Sequence, residues 1–419
     1  MTVLIYWFRN DLRLRDNPGL AKACLAADYL LPIYLHQPEE VSHPLGFMRM
    51  GAHRKRFLKE SLEDLRTQLN QMGSDLFEYT GHPSEVIPGL MQATGAQVIY
   101  CEHIEAPEEM DQVSSLQSVG IEVHEFWQSS MLDPIDLPFD LPQMPDVFSS
   151  FRRAVEKAEL RYAKPVKAPK VIPPIPPIPL VPQQSNEVDS SQRTNDIHHH
   201  YRGGETSAYA HFQQYLKRRL PDTYKETRNQ LIGLDYSSKC SLGLASGCLS
   251  ARVIASEIDS YEQHHGANDG TYWLWFELLW RDYFRFIHFK YGKKLYSASG
   301  LSELPLQALN AKKFKFWSAG NTGEPLVDAG MRELLASGYL SNRMRQIVAS
   351  YWVYDMQGDW QAGAAWFESQ LIDYDVYSNQ GNWLYLAGRG TDPRGGRRFN
   401  IAKQTQDHDP EGAYRDLWL

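Results

Sequence analysis

Between residues 164 and 184 the chain reads KPVKAPKVIPPIPPIPLVPQQ. A run of this kind cannot sit inside a helix or a central strand. Each proline lacks a backbone N–H, and the residue before it is driven toward extended backbone. The segment therefore reads as an extended, semi-stiff connector over the surface. The polar stretch SNEVDSSQRTNDIHHH continues it. Its three histidines, 198–200, read as a solvated run, because no acid or cysteine is spaced to complete a metal site. A 419-residue chain divided in this way is expected to form at least two domains.

The two sides of the connector differ in period. VLIYWF (3–8), LLPIYLH (30–36), DLFEYTG, QVIYC and IEVHEFW read as short strands, and PGLAKACLAA (18–27) and HRKRFLKESLEDLRTQLNQMG (53–73) as helices. Strand–helix alternation predicts a parallel sheet covered on both faces, a Rossmann-like α/β domain over residues 1–130. Residues 131–203 are assigned to the linker and 204–419 to an all-α domain, with helices expected near 204–220, 249–265, 271–290, 325–336, 339–357, 360–370 and 379–386. Nine of the eleven tryptophans lie in this second half. Such aromatic content suits either a large core or a cofactor cavity.

Charge and cysteine use exclude several classes. The net charge of −8 argues against general binding to nucleic acid, so any DNA contact must be a local basic patch. The four cysteines, Cys24, Cys101, Cys240 and Cys248, form no CxxC pair. A disulfide framework and a metal centre are not expected, and a reduced, cytoplasmic setting is. MTVLIYWFRN has no leader pattern, and no apolar run is long enough for a bilayer.

Four stretches carry candidate chemistry. TYWLWFELLWRDYFRF (271–286) sets Trp273, Glu277, Trp280 and Phe284 on neighbouring helical turns, with Glu277 and Arg281 spaced as an i,i+4 ion pair. Aromatics beside a carboxylate suggest a surface that receives flat rings; an aromatic core helix with a satisfied ion pair is the plain alternative. YSSKCSLGLASGCLS (236–250) offers hydroxyls, a lysine and a helix start to a phosphate, or is simply a capping loop. SNRMRQ and LIDYDVYSNQGNWLY bring Asn342, Arg345, Asp373 and Asp375, an ensemble costly to bury unless it serves a ligand or forms an internal salt bridge. GRGTDPRGGRRFNIAK sets five cations against one acid, Asp392, and reads as a phosphate-backbone contact or a solvated loop.

These stretches, together with WFRNDLRLRDNPGL, YRGGETSAYAHFQQYL, TYKETRNQLIGLDYSSKCS, GEPLVDAGMRELLASGYLSNRMRQIVASY and DPRGGRRFNIAKQTQDHDPEGAY, resemble the DNA photolyase/cryptochrome family, and within it the DASH-type cryptochromes. The resemblance covers nearly the whole chain. It implies an N-terminal α/β antenna domain and a C-terminal helical domain that holds FAD. It also implies light-driven repair of cyclobutane pyrimidine dimers in single-stranded DNA by a monomer, with a blue-light receptor as the alternative.

By motif, the resemblance places Glu277, Trp280 and Asn342 against the damaged bases. Arg281 would contact flavin and DNA. Tyr224, Ser237, Ser238, Lys239, Cys240 and Ser241 would form the FAD phosphate and ribose loop. Arg345 and Asp373 would form the salt bridge over the flavin, with Asp375 and Asn379 beside its ring. Trp383, Trp360 and Trp317 would pass electrons inward from the surface. Glu108, with Glu109 as its neighbouring alternative, would hold the pterin of a 5,10-methenyltetrahydrofolate antenna. Arg228, Gln346, Tyr385, Arg397 and Arg398 would face DNA. Gln346 and Tyr385 stand where double-strand-specific photolyases carry Met and Trp. Cys240 and Gly243 depart from bulkier aromatics in the flavin loop.

Overall fold

The computed structural model describes residues 1–38, 43–177 and 201–419; the histidines at 198–200 and the end of the proline run lie outside the described residues. Five parallel strands form one sheet in the order β3-β2-β1-β4-β5: β1 Val3–Phe8, β2 Tyr29–His36, β3 Phe77–Thr80, β4 Val98–Glu102 and β5 Glu122–Phe126. The helices between them are α1 Pro18–Ala26, α2 Ala52–Gln71, α3 Pro83–Thr94 and α4 Pro107–Ser118. β1 has apolar side chains on both faces because it is central. Leu4, Tyr6 and Phe8 pack with Leu62, Leu65 and Leu69 of α2, while Ile5 and Trp7 pack with Ile87 and Leu90 of α3 and Leu116 of α4. Each such side chain contributes about 1.5–3 kcal/mol. The strand order reverses direction at β1, which opens a crevice at the strand C-terminal ends.

The helical half comprises α6 Glu205–Lys217, α7 Tyr224–Thr227, α8 Cys240–Ala245, α9 Ala251–His265, α10 Asp269–Tyr291, α11 Ala311–Ser318, α12 Pro325–Ser337, α13 Asn342–Ser350, α14 Trp360–Gln370, α15 Val376–Leu386, α16 Ile401–His408 and α17 Ala413–Trp418. α10 is the longest of these. It starts at a reciprocal cap in which Asn268 Oδ1 accepts from Thr271 N and Thr271 Oγ1 accepts from Asn268 N.

The expected linker, 131–203, needs correction. Its first part contains α5 Phe148–Lys157, and Met131, Leu132, Met144, Phe148, Phe151 and Val155 belong to the core of the helical half. The proline run is extended, yet it is packed: Pro174 O accepts from Leu30 N at 3.1 Å, and Ile172 is buried beside the sheet. The helix expected over 339–357 is also interrupted. α13 ends at Ser350 and a wider π-helical turn runs over Tyr351–Asp355.

The halves are joined largely by charged side chains meeting backbone groups. Arg13 donates to Gly247 O, and Arg281 of α10 donates to Ser129 O. Glu205 accepts from Leu14 N and Arg15 N. Gly247 lies at φ +71, where a Cβ would stand 1.9 Å from Asn10 O, so glycine alone permits this approach. No helix among the described residues is long and apolar enough to cross a membrane.

Candidate functional site

α10, α13 and α15 bring most of the candidate residues together. Trp280 lies on Phe148 of α5, ring centroids 3.6 Å apart and nearly parallel, and meets Tyr385 of α15 edge-on at 5.5 Å. Glu277 does not pair with Arg281. It binds Arg228, whose guanidinium covers the Trp273 ring at 4.1 Å. Arg281 turns instead to Ser129 O and Leu244 O, and burial, with Arg285 beside it, lowers its pKa to about 9. The Glu277 carboxylate and Trp280 ring remain partly exposed on adjacent turns, as a ring-receiving surface requires.

The second layer is ionic. Arg345 binds Asp373 at 2.8 Å, as the motif suggested. Asp375 takes a different arginine, Arg285, at 2.5 Å, and its carboxylate also caps α15 through Ser378 N. Burial alone would raise the Asp375 carboxyl, but Arg285 and Arg281 outweigh it and hold its pKa near 2. Asn379 donates to Ala364 O at 3.0 Å. Asn342, the first residue of α13, is exposed. Arg285 lies within the quoted aromatic helix, yet sequence spacing alone does not reveal its role. Only the fold of α15 brings Asp375 to it.

The loop before α8 holds Lys239 in left-handed backbone at φ 53, almost fully buried. Its ammonium sits over the Tyr236 ring at 3.4 Å and 3.4 Å from Tyr339 Oη. Burial pulls Lys239 down to about 7, against the opposing charge of Glu333. Ser237, Ser238, Cys240 and Ser241 flank it, and Tyr224 is buried nearby in α7. Two polar atoms of α6, Gln213 Nε2 and Tyr215 Oη, are buried without a partner. A desolvated cation flanked by serine hydroxyls suits an anionic, hydrogen-bonding group such as a flavin diphosphate.

Three other expectations change. Trp317 is fully buried, as Trp383 and Trp360 almost are, so Trp317 cannot be the surface end of a chain of indoles. Of the two neighbouring glutamates, Glu108 is exposed and paired with Arg49 at 2.5 Å. Glu109 instead lines a cavity of about 510 Å³ between the C-terminal ends of β1 and β2 and α14, with Trp7, Tyr34, Arg54 and Tyr374. The cationic loop is less free than its composition implies. Arg397 is held by Asp392 and Tyr385 Oη, Arg398 by Asp355 at 2.7 Å, and buried Arg389 by backbone carbonyls. Gln346 Oε1 accepts from Arg343 at 3.2 Å. Phe148 is the site residue least accessible from sequence, since it comes from a segment read as linker.

Residues 4–172 match the DNA photolyase family, and residues 273–419 match the FAD binding domain of DNA photolyase. The chain is 44% identical to a cryptochrome DASH of Gloeobacter violaceus over its whole length and 85% of that protein. Among solved structures, a Synechocystis sp. PCC6803 cryptochrome superposes with a TM-score of 0.92 at 42% identity, over 100% of this chain and 88% of that one. A class III photolyase from Agrobacterium tumefaciens superposes at 0.84 with 26% identity, over 100% and 86%.

Proposed function

The chain belongs to the photolyase/cryptochrome family, among its cryptochrome DASH members, and from that premise we propose that it splits cyclobutane pyrimidine dimers in single-stranded DNA, driven by light. The observation that carries this reading is the pairing of a half-exposed carboxylate, Glu277, with the Trp280 ring on the same face of α10. FAD, when bound, supplies a light-excitable one-electron donor. Lys239 and the serines around it hold its diphosphate, and the Arg345–Asp373 and Arg285–Asp375 pairs fix the charge around its ring. Trp280 and Tyr385 provide an angled pair of rings against which the extruded pyrimidines stack. Glu277, steadied by Arg228, accepts hydrogen bonds from the dimer edge, and Asn342 at the tip of α13 supplies an amide.

The preference for single strands follows from what these residues lack. Flipping a lesion from a duplex costs a few kcal/mol that contacts to the extruded bases must offset. Tyr385 and Gln346 already have their polar atoms tied to Arg397 and Arg343. They offer less apolar contact than a Trp and a Met would, and about 1.4 kcal/mol is tenfold in affinity. The antenna is assigned to 5,10-methenyltetrahydrofolate, with its pterin at Glu109 rather than Glu108, because Glu109 borders the cavity.

The deciding experiment illuminates the flavin-loaded protein with the same thymine dimer in single- and double-stranded oligonucleotides at one salt concentration, and counts restored thymines. Repair of the single strand with at least tenfold weaker duplex repair is expected. Equal repair of both forms overturns the strand preference. Absence of repair from a protein that still photoreduces favours the receptor reading.

A further inference from the structure

A row of unpaired cations lies on the connector, outside the arginine loop. Arg389, Arg397 and Arg398 of that loop are each held by groups of the protein itself. Residues 152–170, by contrast, carry seven cations against two acids, Glu156 and Glu159, in a chain whose net charge is −8. Arg152 and Arg161 pair with Glu156 and Glu262. Lys157 at the end of α5 and Lys164, Lys167 and Lys170 on the proline connector are exposed, and none has an ion pair or hydrogen bond among the described residues.

The connector holds its three lysines in register. An extended proline-rich chain turns once in three residues and rises about 3.1 Å per residue, which sets Lys164, Lys167 and Lys170 on one edge about 9 Å apart. Ala168 and Ile172 turn to the core beside the sheet while the lysines turn out. The backbone is pinned as well. Val166 N donates to buried Asp16 Oδ1 at 2.8 Å, Val166 O accepts from Asp16 N at 3.1 Å, and Pro174 O accepts from Leu30 N. Little backbone freedom is therefore left to lose when the row meets a partner. α5 links the row to the ring surface. It starts at Phe148, which lies on Trp280, and carries the chain about 14 Å to Lys157. Arg161 O then accepts from the Trp275 N–H, which keeps the departing chain against α10.

We propose that Lys164, Lys167 and Lys170 hold the phosphate backbone of single-stranded DNA beyond the Trp280–Tyr385 surface. This rests on the repair reading above. Charge complementarity carries it. A phosphate chain is the polyanion which that reading brings to α5, and an edge of evenly spaced ammoniums can follow it without reading sequence. α5 and the lysine row extend about 14 and about 19 Å, so on the order of ten flanking nucleotides, at about 3.4 Å each, are needed to follow both. A merely solvated row would give no such dependence on strand length.

The test measures the affinity of the flavin-loaded full chain for single strands of about 6 and about 25 nucleotides, with and without a central thymine dimer, between about 50 and about 200 mM salt. Each phosphate contact to a single strand adds about 0.7 to the slope of log affinity against log salt. The triple variant Lys164→Gln, Lys167→Gln, Lys170→Gln is expected to bind the long strand with a slope shallower by about 2. The same rise in salt then weakens the wild type about 16-fold more than the variant. Both proteins should bind the short strand alike, and the corresponding triple change to arginine should keep the wild-type slope. An unchanged slope in the glutamine variant, an equal loss with the short strand, or a loss in the arginine variant overturns the proposal. The undamaged strands separate this proposal from the repair reading. They report the row whether or not a dimer is recognised, whereas a dimer that adds no affinity to the short strand overturns the repair reading alone.

Discussion

At the scale of single residues, the site is controlled by groups held away from their ordinary ionisation. Lys239 titrates near 7 in the fold because it is buried, while the unfolded lysine stays protonated to about 10.5. The unfolded chain therefore binds the extra proton between these values, and this residue's contribution to flavin-free stability improves as pH rises through that window. A diphosphate beside the ammonium restores its charge. Binding of FAD at pH 8 is thus expected to take up close to one proton, and at pH 6 almost none through this group. Calorimetry in two buffers of different ionisation heat reads the uptake, and Lys239→Met should abolish it. Uptake undiminished in that variant would place the proton elsewhere. Asp375→Asn strands buried Arg285, and breaking a buried pair in this way costs about 3 kcal/mol. Urea unfolding that shows a loss below about 1 kcal/mol would mean Arg285 finds another partner. Part of this scale was legible: the spacing set Glu277 and Trp280 on neighbouring turns of one helix, and the resemblance paired Arg345 with Asp373, which bind at 2.8 Å. The other partners were not. Arg228 for Glu277, Arg285 for Asp375 and Phe148 for Trp280 arise from tertiary closure across 49 or more residues, beyond the reach of any local period.

At the scale of elements, α10 and α15 fix the geometry between the Trp280–Tyr385 rings and the buried indole of Trp383. They approach so closely that a Cβ on Gly381 would stand 2.2 Å from the Phe284 ring. Gly381→Ala should force them apart and cost about 1–3 kcal/mol. The loss should appear both in thermal unfolding and in weaker flavin retention; full retention at wild-type stability would show that Phe284 simply turns aside. Asn268→Ala removes the reciprocal cap of α10 and a hydrogen bond to Asp222, for an expected loss of about 1 kcal/mol. Strands β1 to β5 were legible because their apolar runs are short and bounded. The helices α3, α4, α5, α11, α16 and α17 were not, because polar starts such as PEEM or short amphipathic turns carry too little period to register. α15 begins three residues earlier than expected because Asp375 caps it.

At the scale of the whole molecule, the two halves are too closely bonded to behave as beads on a string. Asp16 of the α/β half is fully buried and binds Arg252 at 2.9 Å and Ser250 across the boundary. Circular dichroism, which follows both halves, and tryptophan fluorescence, dominated by the helical half, should report one coincident transition. Asp16→Ala should lower that transition by about 3 kcal/mol, since it leaves Arg252 buried without its carboxylate. Two separated midpoints in the wild type would show that the halves unfold independently. The packing of residues 131–177 onto both halves explains why the proline run marks a boundary in sequence without being a loose hinge in space.

The boundary contacts have an evolutionary consequence. Arg13, Arg281 and Glu205 each reach peptide groups on the facing segment, Glu205 with the Arg15 guanidinium also 3.8 Å away. A contact made to the main chain survives almost any substitution opposite it, so long as the fold is kept. At these contacts each half is therefore free to drift in sequence without waiting for a matching change in the other, whereas the Asp16–Arg252 pair ties the two together. Chimaeras that join this α/β half to the helical half of a distant relative should assemble wherever the facing segment retains a glycine at the position of Gly247.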